Sequence, residues 1–199
     1  MTSFATLRSL VPKSEAGRER CELCGVAVEH GHRHLIDPIP RRLICTCDAC
    51  ALLFLRNGET KYKGVPRSAT YLEDFHLSDG QWDSLMIPIG LAFFYESSTE
   101  GRVLALYPSP AGPTESMLSL DAWADIVAGN PQLSVMESDV EALLVNRLQT
   151  PAQYYLAPMD KCYELVGLIR KNWHGLSGGA EMWEKIRQFF EELKETASA

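Results

Sequence analysis

The chain has 199 residues, 46% of them hydrophobic and 23% charged, with a net charge of −7. That is enough for one domain with a full core and a small appended module, and the composition is neither disordered nor fibrous. No apolar stretch is long enough to span a membrane, and MTSFATLRSLVPK lacks the apolar core and cleavage site of a signal peptide, so a cytoplasmic location is expected. Residues 1–67 carry 11 Lys+Arg against 7 Asp+Glu, and the remainder 8 against 19. The basic segment reads as offsetting the charge of thiolates gathered there, or as facing an anionic partner such as RNA, DNA or an acidic protein face; the acidic remainder argues against a dedicated nucleic-acid binder.

In chain order, residues 1–19 read as a flexible arm, 20–56 as a small metal-binding module and 57–199 as a second domain. Five of the six cysteines lie in the module, as Cys21-Glu-Leu-Cys24-Gly25 and Cys45-Thr-Cys47-Asp-Ala-Cys50. In a reducing compartment, clustered CxxC pairs read as metal ligands rather than disulfides. Two intervening residues let one tight turn aim both sulfurs at one ion, and Gly25 supplies a position that tolerates positive φ. Cys21, Cys24, Cys47 and Cys50 use both pairs and are the expected ligands. The second pair runs into ACALLFL, which reads as a helix whose N-terminus favours thiolate.

A turn, a hairpin over Leu35–Ile44 and a second turn opening a helix is the order of a treble-clef finger. Four sulfurs suit structural zinc, the favoured reading, and a rubredoxin-like iron site as well. Cys45 shares a strand face with Cys47, so it reads either as a competing ligand or as a small buried side chain beside the site. His30, His32 and His34 read as a polar hairpin tip or as ligands for nickel or copper. His32 and His34 share a face, so either is an alternative ligand.

His32, His34 and Asp37 between two CxxC pairs also resemble a treble-clef HNH nuclease. The match is degenerate: Ala51 stands where that family places a histidine, and no central asparagine is evident. No catalytic residue is assigned.

The remainder reads as an α+β domain with a mainly antiparallel sheet packed by helices. Asn57–Pro66 is a polar linker, with a short strand at Tyr62 to Val65. Ser78 caps a short helix over Leu77–Leu85. Ile87–Glu96 and Arg102–Tyr107 form a hairpin of buried strands, and YPSPAGP is expected to leave the sheet as an extended loop. That loop offers Ser109, Thr114 and Ser116 and would wrap a ligand or partner, or simply stiffen the surface. Ser119 or Asp121 opens a helix over Ala122–Ala128, which Gly129, Asn130 and Pro131 stop. Val140–Asn146 and Gln153–Ala157 read as strands, with Val140–Leu148 as a helix the competing reading.

Two amphipathic helices end the chain. Asp160 caps the first, which places Cys162, Leu165, Val166, Ile169 and Trp173 on one face. Gly175, Ser177, Gly178 and Gly179 break it. The second presents Met182, Trp183, Ile186, Phe189, Phe190 and Leu193 to the core. His76 and His174 are isolated.

CELCG, HRHLID, RRLICTCDACALLF, LALYPSPAGPTES, VEALLVNR, YYLAPMDKCYELVGLIRKNWHGLSGG and WEKIRQFFEEL together resemble an uncharacterised bacterial family encoded in gene clusters of high-affinity nickel–iron hydrogenases. The resemblance spans most of the chain. It implies an accessory role in assembly, maturation, stability or electron transfer, with hydrogenase subunits or maturation factors as protein partners, and it transfers no catalytic residue.

Overall fold

The computed structural model describes residues 19–56, 61–116, 120–174 and 178–198. Most of the arm, the first four residues of the linker, Ser119, Gly175 and Ser177 therefore lie outside the described residues. The chain is α+β, with two antiparallel sheets and five α-helices among the described residues.

The first sheet is small. Strands β1 (Arg33–Asp37) and β2 (Arg42–Thr46) form a hairpin, and β3 (Lys63–Gly64) adds to β1, giving the order β2-β1-β3. Helix α1 (Asp48–Leu55) follows β2 at once. Side chains alternate along a strand, so the two faces of this sheet have different roles. Leu35 and Ile44 pack with Ala51 of α1 in a core of their own, whereas Ile36, the next residue along β1, joins the main core.

The second sheet holds β4 (Thr70–Tyr71), β5 (Leu91–Ser97), β6 (Arg102–Ser109), β7 (Gly112–Ser116), β8 (Glu141–Asn146) and β9 (Gln153–Pro158). Its order is β4-β9-β8-β5-β6-β7, and all neighbours are antiparallel. Helices cover both faces. Helices α4 (Met159–Asn172) and α5 (Ala180–Thr196) bury Phe93, Leu104, Leu144 and Tyr155. On the other face, α2 (Asp79–Ser84), α3 (Leu120–Gly129) and a 3₁₀ turn (Pro131–Val135) bury Phe94, Ala105, Leu143 and Val145. A strand covered on both sides needs no polar alternation. That is why β5 and β8 are nearly continuous apolar runs.

Local chemistry sets several boundaries. The Ser78 hydroxyl accepts from Gln81 N–H, and the Gln81 amide oxygen accepts from Ser78 N–H, so α2 opens with a reciprocal capping box. Asn130, 1% exposed, closes α3 by donating to the carbonyls of Ile126 and His76.

Three expectations need correction, and one choice between two readings falls to the strand. The YPSPAGP segment does not leave the sheet: β6 runs to Ser109 and returns as β7, with Pro108 opposite Pro113. Pro108 lies beyond the stretch of β6 paired with β5, and β7 is an edge strand, so neither ring removes a central ladder bond. Val140–Leu148 is not helical; β8 sits between β9 and β5 at the middle of the sheet. Asp160 is not the cap of α4, whose cap position is Pro158; Asp160 lies in the first turn. Trp183 does not share the buried face of α5 and is 43% exposed, while Met182, Ile186, Phe189, Phe190 and Leu193 are buried. One position past Met182 turns it about 100° around the helix, onto the flank of the apolar stripe.

Candidate metal centre

Three local structures bring four cysteines together. The turn after Cys21 closes through Gly25 N–H to the Cys21 carbonyl (2.8 Å) and Cys21 N–H to the Val26 carbonyl (2.8 Å), with Gly25 at φ 78°. The backbone ladder from Glu22 N–H to the Cys45 carbonyl (2.8 Å), and the Glu22 carboxylate accepting from Cys45 N–H (2.9 Å), fasten this turn to the end of β2. Cys47 is the N-cap of α1, and its sulfur accepts from Cys50 N–H at 3.5 Å. Cys50 then lies one turn in.

The sulfur atoms of Cys21, Cys24, Cys47 and Cys50 all fall within 4.8 Å of one another. The Cys24 and Cys47 sulfurs are 3.7 Å apart. A tetrahedron with metal–sulfur bonds of about 2.3 Å has edges of about 3.8 Å, so the cluster fits a bound ion. Burial alone would push the Cys21 thiol up. Backbone N–H groups of Cys47, Cys24 and Leu23 outweigh it and bring the pKa down to about 6. Burial and the sulfurs of Cys24, Cys47 and Cys21 push Cys50 up to about 12. The same cluster thus pushes the Cys21 and Cys50 thiols in opposite directions. A bound cation would favour the thiolate form, which is the form that ligates.

The remaining candidates gather elsewhere. His32, His34 and Cys45 form a second group whose ligand atoms also lie within 4.8 Å of one another. Burial, then the charges of Glu22 and Glu19, hold the Cys45 thiol above its usual range. His30 is exposed at the turn before them. Asp37, the third residue of the nuclease reading, is not brought to these histidines: it alternates to the other face of β1 and pairs with Lys61 (3.0 Å). Ala51 is buried against Leu35 and Ile44.

Residues 20–197 match a family described as a family of unknown function, DUF5947. The chain belongs to this family. No curated protein and no solved structure matches this DUF5947 chain.

Other sequence candidates in the DUF5947 chain are engaged internally. Ser109 donates to the Gly112 carbonyl (2.8 Å), Thr114 donates to the Ser109 hydroxyl (3.0 Å), and Ser116 donates to the Met86 carbonyl (3.2 Å). The first two bonds lie within the β6–β7 hairpin and the third ties β7 to the segment after α2; Tyr107 and Pro108 of the hairpin line an apolar cavity of about 350 Å³ with Trp173 and Met182. Cys162 is fully buried, which raises its thiol pKa, and it belongs to the main core. His76 donates through Nδ1–H to the Asp74 carbonyl (2.7 Å), and His174 pairs with Gly178 across an isolated bridge. No helix among the described residues is long and apolar enough to cross a membrane.

Sequence reasoning missed Asp160 and Glu22 as neighbours of these groups. Asp160 meets His34 across 126 positions, a separation at which no local spacing rule operates.

Proposed function

We propose that the chain is a non-enzymatic accessory protein in which Cys21, Cys24, Cys47 and Cys50 hold a structural zinc ion and the α+β body engages a partner protein. The observation that carries this reading is the four-sulfur cluster. Four protein ligands complete a tetrahedral shell and leave no place for a reactant, which is the pattern of structural rather than catalytic zinc. The ion stands where the Cys21 turn, the end of β2 and the start of α1 meet, so it staples three short elements that share only a small core.

The sequence resemblance to a family encoded with nickel–iron hydrogenases supports hydrogenase subunits or maturation factors as the partner, and assembly, maturation or stability as the role. Native purification from a hydrogenase-producing host, with metal analysis and identification of bound proteins, tests both parts. The expected product is colourless, holds zinc against mild chelation and carries a hydrogenase subunit. A coloured protein with reversible iron spectra replaces zinc by a rubredoxin-like site. A zinc-loaded chain that captures no hydrogenase component removes the partner and leaves the metal reading standing.

A further inference from the structure

His32, His34 and Cys45 share the face of the small sheet opposite Leu35 and Ile44. His34 is the cross-strand partner of Cys45, and His32 lies two residues before His34. The two imidazole centroids are 4.6 Å apart. Each ring is held at Nδ1. His32 Nδ1 lies 2.9 Å from the Glu29 carbonyl, and His34 Nδ1 lies 2.9 Å from Oδ2 of Asp160 in the first turn of α4. Both partners are acceptors, which places a proton on Nδ1, so the neutral form of each ring carries its lone pair on Nε2.

The His32 side chain is 7% exposed. Its Nε2 is buried and has no hydrogen-bond partner among the described residues. An orphaned buried acceptor of this kind is unfavourable, because it has lost its hydration and gained no donor. A structural polar cluster would explain the His34–Asp160 pair, but it leaves the His32 nitrogen without a partner; a cation supplies one.

We propose that His32, His34 and Cys45 form a second metal site, separate from the four-cysteine cluster, that takes a borderline divalent transition ion such as cobalt, nickel or zinc. Two imidazoles and one thiolate suit such ions and disfavour magnesium or calcium, which demand oxygen. The carbonyl on His32 and the carboxylate on His34 are the supports that orient ligating histidines and raise their basicity. The Glu19 carboxylate, 3.4 Å from His32 Nδ1, and the Glu22 carboxylate at Cys45 N–H add negative charge around the ion. Three protein ligands leave a fourth position for water or an incoming donor, unlike the closed four-sulfur set. The site also joins the small sheet to α4 of the main body.

The test uses the full chain with its four-cysteine cluster filled by zinc. Cobalt(II) is titrated in while bound zinc and cobalt are counted separately, so this reading is scored independently of the metal at the first site. The expected result is one added cobalt per chain with zinc retained, tetrahedral d–d bands and a thiolate-to-cobalt band from one sulfur. Cys45→Ser removes that last band. His32→Ala and His34→Ala weaken cobalt binding at least about 100-fold, and Asp160→Ala weakens it about 10- to 100-fold through His34 alone. Retained zinc in each variant shows that the module is folded. If a variant loses its zinc, the wild type decides: cobalt must slow alkylation of Cys45 while zinc stays bound. Equal cobalt uptake by wild type and the His32→Ala/His34→Ala double variant, cobalt entering only by displacing zinc, or unchanged Cys45 alkylation overturns the proposal.

Discussion

Asp139→Asn tests how the small sheet is tied to the main body. Asp139 is 3% exposed. Its carboxylate accepts from Ser98 N–H (2.9 Å) and the Ser98 hydroxyl (2.5 Å), and it pairs with the Lys63 ammonium of β3 at 2.6 Å. Its backbone φ is 71°, a conformation asparagine also tolerates, so the substitution removes charge without backbone strain. Asn keeps an acceptor for Ser98 N–H but turns a donor toward Lys63 or the Ser98 hydroxyl. Hydrogen bonds to charged groups contribute about 1.5–3 kcal/mol, and the half-exposed Lys63 regains some hydration, so a loss of about 2 kcal/mol is expected. For a chain of this size that lowers Tm by about 4–8 °C.

The pH dependence of that loss has a defined sign. Burial works to raise the Asp139 pKa, but Lys63 and the two Ser98 donors hold it below the usual value of 3.8. A depressed carboxylate stabilises the fold above its unfolded pKa and loses that contribution as pH falls through the folded one. The gap between wild type and Asp139→Asn, measured by urea unfolding at fixed zinc, should therefore be full at pH 7 and shrink below about pH 4. Equal midpoints at pH 7, or a gap that persists unchanged into acid, would refute the reasoning.

Phe190→Ala should cost about 3–5 kcal/mol in the same unfolding assay, because the ring is fully buried between Phe189 and Tyr155; a loss under 1 kcal/mol would contradict that packing. Cys162 should resist alkylation in the native chain and react once the chain unfolds, since burial holds its thiol protonated. Mass mapping of modified cysteines reads this directly. Gly178→Ala should destabilise the chain, because φ there is +83°, a conformation that strains any residue with a Cβ; an unchanged thermal midpoint would count against this strain.

The four-cysteine candidates were legible because each pair is a local object: two residues of spacing fix one turn, and the second turn opens a helix. The two terminal helices were legible for the same reason, as 3.6-residue periodicity survives in one dimension. What stayed hidden depends on partners distant in sequence. β8 was ambiguous because Ala142–Val145 is buried on both faces and shows no alternation. The β6–β7 return was hidden by Pro108 and Pro113, whose acceptability follows from the strand's place at the sheet edge. Trp183 looked like core because a stripe cannot show where its flank ends. The support of His34 by Asp160 could not be read at all, since it depends on the docking of α4 against β1. The His32–His34–Cys45 group was half visible: strand alternation aligned the histidines, but the register that sets Cys45 opposite His34 had to be seen.

The most direct measurement of the central claim is the metal content and sulfur coordination of the purified chain, with thermal unfolding before and after chelation. Zinc should be tightly held by four sulfurs at about 2.3 Å. In the metal-free form, and in Cys50→Ser, residues 20–56 should lose their fold, because binding at a structural site is folding free energy. A chain that purifies without metal, or whose unfolding is the same with zinc, with chelator and in Cys50→Ser, would contradict that claim.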